Sequence, residues 1–347
     1  MPRVKNNRIR RLAKKLLGGA FYHLGLFHLV RFYNNIAGRR LTILTYHRVT
    51  DRDVRGVEGA LPYLLVNNRT FDAHLRFLKK YYNTVSFGEL EDMAGDGRKI
   101  PWNTLIITFD DGYLDFYEHA YPLMKEHSVP STVFLAVDRI GDDDARPFWW
   151  DNAYFYFTRL AELRKNGGLR NPDGMLRDLL DNFESDPSAT FEQMNRMKTE
   201  DIEEFLDRIR ADHGLPAESQ YDNRMLDWGK VRKMNDMVEV GSHTLSHINL
   251  NRLTDELKAI EIRDSRTTIR KMTGKSAKVF SYPAGNYDDV SKKLVRDSGY
   301  SFAVTTDRGV EDGRDPYTLK RMNVWEGTSE STDGSFSKGL FSLRLVL

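Results

Sequence analysis

Thr104-Leu105-Ile106-Ile107-Thr108-Phe109-Asp110-Asp111-Gly112 is an apolar run that ends in two adjacent carboxylates and a glycine. Two carboxylates at the C-terminal end of a buried strand are costly unless they are paired, hydrogen-bonded or bound to a cation. Gly112 permits a sharp turn, so Asp110 and Asp111 need not point to opposite faces as they would inside a strand. Barrel enzymes place catalytic groups at the C-terminal ends of parallel strands. Taken alone, a paired Asp before Gly also reads as a turn or a helix cap, and both readings stay open at this point.

Working outward, similar strand-like runs recur at Leu41–His47, Ser131–Val137, Val238–His243, Ala277–Pro283, Ser301–Thr306 and Leu319–Val324, with a weaker one at Asn83–Phe87. Amphipathic helical segments lie between most of them: Phe71–Tyr81, Leu114–Lys125, Asp255–Met272 after Thr254 as N-cap, and Asp288–Asp297 before Gly299. Strands alternating with helices argue for βα units and a parallel sheet. Roughly eight strands favour an α/β fold of the distorted (β/α) barrel type, with a doubly wound open sheet as the alternative. From about 142 to 226 the alternation stops and only helical pattern remains, which reads as an insertion. There Thr190 with Gln193 reads as a capping box, and Ile202, Phe205, Leu206 and Ile209 form one apolar stripe. The aromatics Phe148, Trp149, Trp150, Tyr154 and Tyr156 read as the insertion's core. The acidic run Asp142–Asp144 reads as a solvated loop. The chain is thus expected to divide into a basic extension at 1–39, a barrel at 40–325 interrupted by the insertion, and a tail at 326–347.

The 347 residues include 52 Lys+Arg, 50 Asp+Glu and no cysteine, which excludes disulfide scaffolds, thiolate metal sites and cysteine nucleophiles. The charge is unevenly spread. Residues 1–50 contain no Asp or Glu and a basic set running from Arg3 through Lys5, Arg8, Arg10, Arg11 and Lys14 to Lys15. The apolar stretch Leu16–Val30 that follows is too short to cross a bilayer and lacks a small-residue cleavage site. A helix lying on an anionic membrane surface is one reading, and a helix packed on the barrel is the other. A peripheral membrane or cytoplasmic location is expected over secretion, with no nucleic-acid partner.

The second chemical signal is Gly241-Ser242-His243-Thr244-Leu245-Ser246-His247. Two histidines four apart fall on one face of a helical turn and can chelate zinc. At the end of another parallel strand they would share a rim with Asp110 and Asp111. Asp111, His243 and His247 then supply three ligands and leave a coordination position open.

With both motifs present, in order and each after a strand, the sequence resembles the polysaccharide deacetylase family of metal-dependent carbohydrate esterases. The resemblance covers roughly 40–141 and 227–325. It implies a distorted (β/α) barrel, Asp110 as general base, and Asp111, His243 and His247 as ligands of a divalent metal. Zinc is the default ion, with cobalt and nickel as alternatives. It also implies an N-acetylated glycan as substrate.

Two family features are altered. Where the family has an Arg-Pro-Pro-Tyr motif, this chain has Ser281-Tyr282-Pro283-Ala284-Gly285, so the arginine that steadies the catalytic aspartate is missing. This version is similar to the branch that deacetylates biofilm poly-N-acetylglucosamine, and it implies an oxyanion and substrate-binding role for Tyr282, Pro283 and the Ala284 backbone N–H. No histidine follows His247, so the family's C-terminal general acid is absent. His47, in the same branch's Tyr-His motif, is implied as its replacement. Strand alternation in Leu319–Val324 puts Met322 and Val324 on one face and Arg321 on the other, where it would pair with Asp110 or else face solvent. His74, His119, His127 and His213 fall in polar helical surroundings and are assigned no role. The expected activity is hydrolysis of the N-acetyl amide of N-acetylhexosamine units in a polysaccharide or its lipid-linked precursor. An inactive sugar-binding barrel and a membrane-surface scaffold are the alternatives.

Overall fold

The structure, a computed structural model, describes every residue except 1–16, 142–146, 170, 171, 173, 218, 220, 235, 332 and 347. The basic set from Arg3 to Lys15 and the acidic run Asp142–Asp144 lie outside the described residues. The chain divides into two compact units. One comprises Met1–Val54, Tyr63–Ala145 and Met225–Leu347, and the other Arg55–Pro62 and Arg146–Arg224.

The first unit carries the sheet. Its strands are β1 (Leu41–Tyr46), β2 (Arg48–Thr50), β3 (Leu65–Asn67), β4 (Asn83–Thr84), β5 (Thr104–Phe109), β6 (Ser131–Leu135), β7 (Val238–Ser242), β8 (Val279–Ser281), β9 (Phe302–Val304) and β10 (Met322–Asn323). The main sheet runs β10-β1-β5-β6-β7-β8-β9, with β4 beside β5, and every pairing is parallel. Its two ends meet through the segment just before β10. Val304 bridges Leu319 in parallel, and the Thr305 N–H donates to the Leu319 carbonyl at 2.8 Å. The result is a barrel closed by an interrupted strand. Strands such as β1, β5 and β6 are buried throughout, as parallel strands covered on both faces must be.

Several elements differ from the sequence reading for identifiable reasons. The expected strand Leu319–Val324 shrinks to β10 because the Arg321 N–H leaves the ladder and donates to the Asp307 carbonyl. The weak strand Asn83–Phe87 stops after Thr84, since Ser86 and Glu89 form a capping box that starts a helix at Phe87–Gly95. The Glu239 carboxylate of β7 also accepts the first N–H groups of that helix, from Phe87 and Gly88. The single helix expected at Leu114–Lys125 is a π-turn, Phe116–Ala120, running into Tyr121–His127. Pro122 has no N–H to donate there, so a regular ladder cannot continue through it. The pair β2–β3 was too short to show a period. Asp255–Thr273 and Asp289–Asp297 form with Thr254 and Asp288 as N-caps.

The second unit is helical: Trp149–Lys165, Gly174–Ser185, Pro187–Met194 and Thr199–His213. Its core includes the stripe Ile202, Phe205, Leu206 and Ile209. Phe148 stacks on Trp150, Trp149 lies against Phe191, and Tyr154 packs against Phe183. Asp186, rather than Thr190, caps the third helix, while the Thr190 hydroxyl is buried against the Leu179 carbonyl.

His74 corrects the sequence reading. It lies on the inward face of the helix Asn68–Tyr81 and is fully buried. The residues read as a C-terminal tail form helices Glu326–Ser329 and Lys338–Val346 that pack on it. The His74 ring stacks on Phe341 at 4.0 Å and is hydrogen-bonded to the hydroxyls of Ser329 (2.7 Å) and Tyr46 (3.1 Å). Burial pushes its pKa down from 6.5 to about 3, so the folded protein holds it neutral. The unfolded chain therefore binds the extra proton first. Stability contributed here is complete above pH 6.5 and declines as pH falls toward the folded value, by up to about 1.4 kcal/mol per pH unit. The urea midpoint should fall on acidification from pH 6.5 to about pH 4, with a shallower slope in His74→Gln. Parallel slopes in the two proteins would assign the acid sensitivity to other groups.

Candidate active site

The carboxylates after β5 are held by backbone geometry. The Asp110 N–H still pairs with the Tyr46 carbonyl at 3.0 Å, in register with β1. The chain then turns through two left-handed residues, Asp111 (φ 79°) and Gly112 (φ 86°). A side chain at Gly112 would meet Leu135 and Ile140 at 2.9 Å. Glycine is thus required there, while Asp111 carries the strained conformation itself. Asp110 and Asp111 are both buried.

His243 and His247 join them, but not through a helical turn as their spacing suggested. Residues 243–247 form a loop in which Thr244 (φ 67°) and His247 (φ 62°) are left-handed. The Thr244 hydroxyl accepts the His247 N–H at 2.9 Å. His247 Nε2 lies 3.3 Å from Asp111 Oδ1, and His243 Nε2 lies 3.7 Å from the same oxygen. The ligand atoms of Asp111, His243 and His247 all lie within 4.8 Å of one another.

The donor set fits a divalent cation. His243 Nδ1 sits 2.7 Å from the Ser281 carbonyl, which can only accept, so Nδ1 donates and Nε2 presents its lone pair toward Asp111. Burial, then the neighbouring His247, lower the His243 pKa to about 4 against the pull of Asp110, Asp111 and the Ser281 carbonyl. A neutral imidazole is the form that binds metal. For Asp111, burial works upward, and the hydrogen bond and charge of His247 with the charges of His47 and His243 more than offset it.

Asp110 belongs to a different arrangement. Arg321 is fully buried, and its guanidinium grips both carboxylate oxygens at 2.7 Å. The remaining guanidinium donors go to the Thr305 carbonyl (2.9 Å), Ser281 Oγ (3.0 Å) and Thr108 Oγ1 (3.2 Å). Burial alone would raise the Asp110 pKa, but Arg321 and then His243 hold it well below the usual carboxylate range. Asp110 is therefore an ionised carboxylate, with His243 Nε2 3.9 Å away.

His47 follows β1 directly, and its charge acts on both Asp110 and Asp111. Its Nδ1 is buried without a hydrogen-bond partner. Ala284 is left-handed (φ 54°) within the turn Pro283–Gly285 after β8. Gly285 is required beside it, because a side chain would meet the Thr306 backbone nitrogen at 2.7 Å. The side chains of Tyr282 and Pro283, by contrast, are buried. The Tyr282 hydroxyl donates to the Tyr317 carbonyl at 3.2 Å and its ring stacks on Tyr287, so it supports the turn from the core.

Sequence reasoning missed the residues that brace these groups. The Glu261 carboxylate, on the helix Asp255–Thr273, accepts from Leu245 N–H (2.8 Å), Ser246 N–H (3.1 Å) and Ser246 Oγ (2.7 Å), tying down the histidine loop. Arg48, adjacent to His47, is fully buried, paired with Asp115 at 2.6 Å and stacked over Tyr113 at 3.9 Å. In each case the partner is distant in sequence or unremarkable in type, so no local pattern marked it.

A parallel barrel carrying an ionised carboxylate beside an Asp-His-His cluster at its C-terminal rim has the groups that metal-assisted hydrolysis requires. The polysaccharide deacetylase profile matches residues 98–171 and 181–303, and the chain belongs to that family. It is 25% identical over 304 residues to a Bacillus subtilis protein assigned to the polysaccharide deacetylases, covering 87% of this chain and 77% of that one. A Staphylococcus epidermidis poly-β-1,6-N-acetyl-D-glucosamine N-deacetylase is 19% identical over 296 residues, covering 81% and 78%. Among solved structures, a Streptococcus pyogenes deacetylase in complex with acetate shares the fold, with a TM-score of 0.54, 17% identity and coverage of 82% and 92%. The protein is accordingly a polysaccharide deacetylase.

Removing only one partner of the Arg321–Asp110 pair leaves a buried charge uncompensated. Arg321→Met should cost about 3–5 kcal/mol in urea unfolding. Adding Asp110→Asn to it should restore part of that loss. Additive losses in the double variant would mean that the two side chains are not coupled.

Proposed function

We propose that the enzyme hydrolyses the N-acetyl amide of N-acetylhexosamine units in an exopolysaccharide or its lipid-linked precursor, with a divalent cation held by Asp111, His243 and His247. The observation that carries this reading is the ionised, Arg321-clamped Asp110 beside a three-ligand cluster, with His47 Nδ1 unpartnered nearby. The name of the staphylococcal relative supports the N-acetylglucosamine polymer as the substrate class.

When bound, the cation would act as a Lewis acid toward the acetyl carbonyl and would acidify a water molecule. Zinc is the default for this nitrogen and oxygen donor set, with cobalt and nickel as alternatives. Asp110 takes the proton from the attacking water. Arg321 keeps that carboxylate ionised and aimed, so the base is present before substrate arrives. The Ala284 N–H donates to the oxygen that becomes negative as the carbonyl carbon turns tetrahedral. His47 donates a proton to the departing amine nitrogen, and the products are acetate and the free amino sugar. No hydrogen bond at His47 Nδ1 has to be broken for that transfer.

Acetate release from N-acetylglucosamine oligomers, measured beside the metal content of the purified protein, tests each role. Asp110→Asn should lower turnover by about two to four orders of magnitude with metal retained. His47→Ala should do the same at unchanged metal content, and near-normal turnover would remove His47 from the mechanism. His243→Ala should lose the metal. Glu261→Ala should weaken metal affinity by about tenfold to a hundredfold, because the loop carrying His247 loses its anchor. Metal-loaded wild-type protein that releases no acetate from any N-acetylated glycan would overturn the substrate reading.

A further inference from the structure

The helix Leu26–Ile36 has two faces of unusual character. One face packs inward: Phe27, Asn34 and Asn35 are buried, and Asn35 exchanges hydrogen bonds with Asn103 at 2.7 and 2.9 Å. At 100° per residue, Leu26, Leu29, Phe32, Tyr33 and Ile36 fall together on the opposite face. That face contains no charged residue and is open, with Leu29 62%, Phe32 52%, Tyr33 66% and Ile36 63% exposed. Trp102, itself 43% exposed, extends it through an edge contact with Phe32 at 5.7 Å. Solvent-facing helix surfaces are ordinarily polar, so a contiguous apolar face of this kind marks an interaction surface.

The charges around it select the occupant. Arg39, Lys80 and Lys99 are exposed on neighbouring segments, and Lys80 lies against Tyr81, whose ring contacts His28 of the same helix. The chain carries no acidic residue before Asp51, and seven Lys/Arg precede residue 16. Among the described residues no helix is long and apolar enough to cross a membrane. Exposed Asp92 and Asp96 lie on the Lys99 segment, with Asp96 paired to Arg98, so the positive charge beside the face comes from Arg39, Lys80 and Lys99. An apolar face with tryptophan and tyrosine flanked by such cations is suited to the headgroup region.

We propose that this face docks the enzyme on an anionic lipid surface, with Leu29, Phe32, Tyr33, Ile36 and Trp102 entering the interface and the surrounding lysines and arginines against the headgroups. The inward face of the same helix belongs to the fold, so the docking element is preformed and pays no folding cost on binding. The inference does not rest on the deacetylase mechanism.

Vesicle co-sedimentation of the full chain tests it, using phosphatidylcholine alone and phosphatidylcholine containing about a third phosphatidylglycerol. Binding is expected on the anionic vesicles and at least about tenfold weaker on the neutral ones, with the difference shrinking at high salt. The double variant Leu29→Ser/Phe32→Ser should reduce anionic-vesicle binding by at least about tenfold. Both positions are exposed, so an unchanged melting temperature serves as the fold control and no substrate is needed. Absence of binding to anionic vesicles, or equal binding by the double variant, would overturn the proposal. So would a wild-type dimer in light scattering that the same substitutions dissociate, which would assign the face to a second copy of the chain.

Discussion

The bidentate grip of Arg321 on Asp110 is the interaction on which the rest of the site depends. Two carboxylates, a guanidinium and two imidazoles converge on the rim of the barrel, and all but His247 of that group are buried. A lone buried carboxylate at the Asp110 position would escape its desolvation cost by taking up a proton, which would disable it as a base. Arg321 prevents that, and its own donors are fully employed by Thr305, Ser281 and Thr108. Arg321 compensates the charge of Asp110, whereas Asp111 has the imidazoles of His243 and His247 beside it. The same guanidinium occupies both oxygens of Asp110 and leaves Asp111 as the carboxylate that faces the two imidazoles.

This arrangement is maintained by local strain. Among the described residues, six non-glycine positions have positive φ, and Asp111, Thr244, His247 and Ala284 of the site are four of them. Each such conformation costs on the order of 1 kcal/mol or more and persists only where surrounding contacts over-determine it. Those contacts are visible: Gly112 under Leu135 and Ile140, Glu261 and Thr244 on the histidine loop, and Gly285 against Thr306. The barrel supplies rigid strand ends, and the strained residues redirect side chains that regular geometry would point elsewhere.

What could be read from the sequence follows the range of the physics involved. The βα alternation, the caps at Thr254 and Asp288, and the apolar runs are local signals, and they located most of the strands and helices. The pairing of two carboxylates with a glycine, and of two histidines, was legible because each motif concentrates costly residue types in a few positions. The capping box at Ser86 and Glu89 was also local, yet it was masked by the β-branched run before it. His74 was misjudged because polar neighbours in sequence sit on the outer face of its helix, while its own side chain points inward. The termini were hardest to read. Their short helices are stabilised by packing on Phe77, Phe341 and Tyr81 rather than by intrinsic propensity.

By itself, the sequence determined the layering of the barrel and the identity of the chemical groups, because burial patterns and residue chemistry are properties of short stretches. Only the tertiary structure decided that Arg321 reaches Asp110 rather than solvent. That outcome depends on closing the sheet through a broken strand, which sets a residue near the end of the chain against one more than two hundred positions earlier. It likewise decided that His243 and His247 meet Asp111 from a strained loop rather than from a helical turn. Hydrogen bonds donated by the loop to a carboxylate on a later helix stabilise it, and no spacing rule within the motif encodes them.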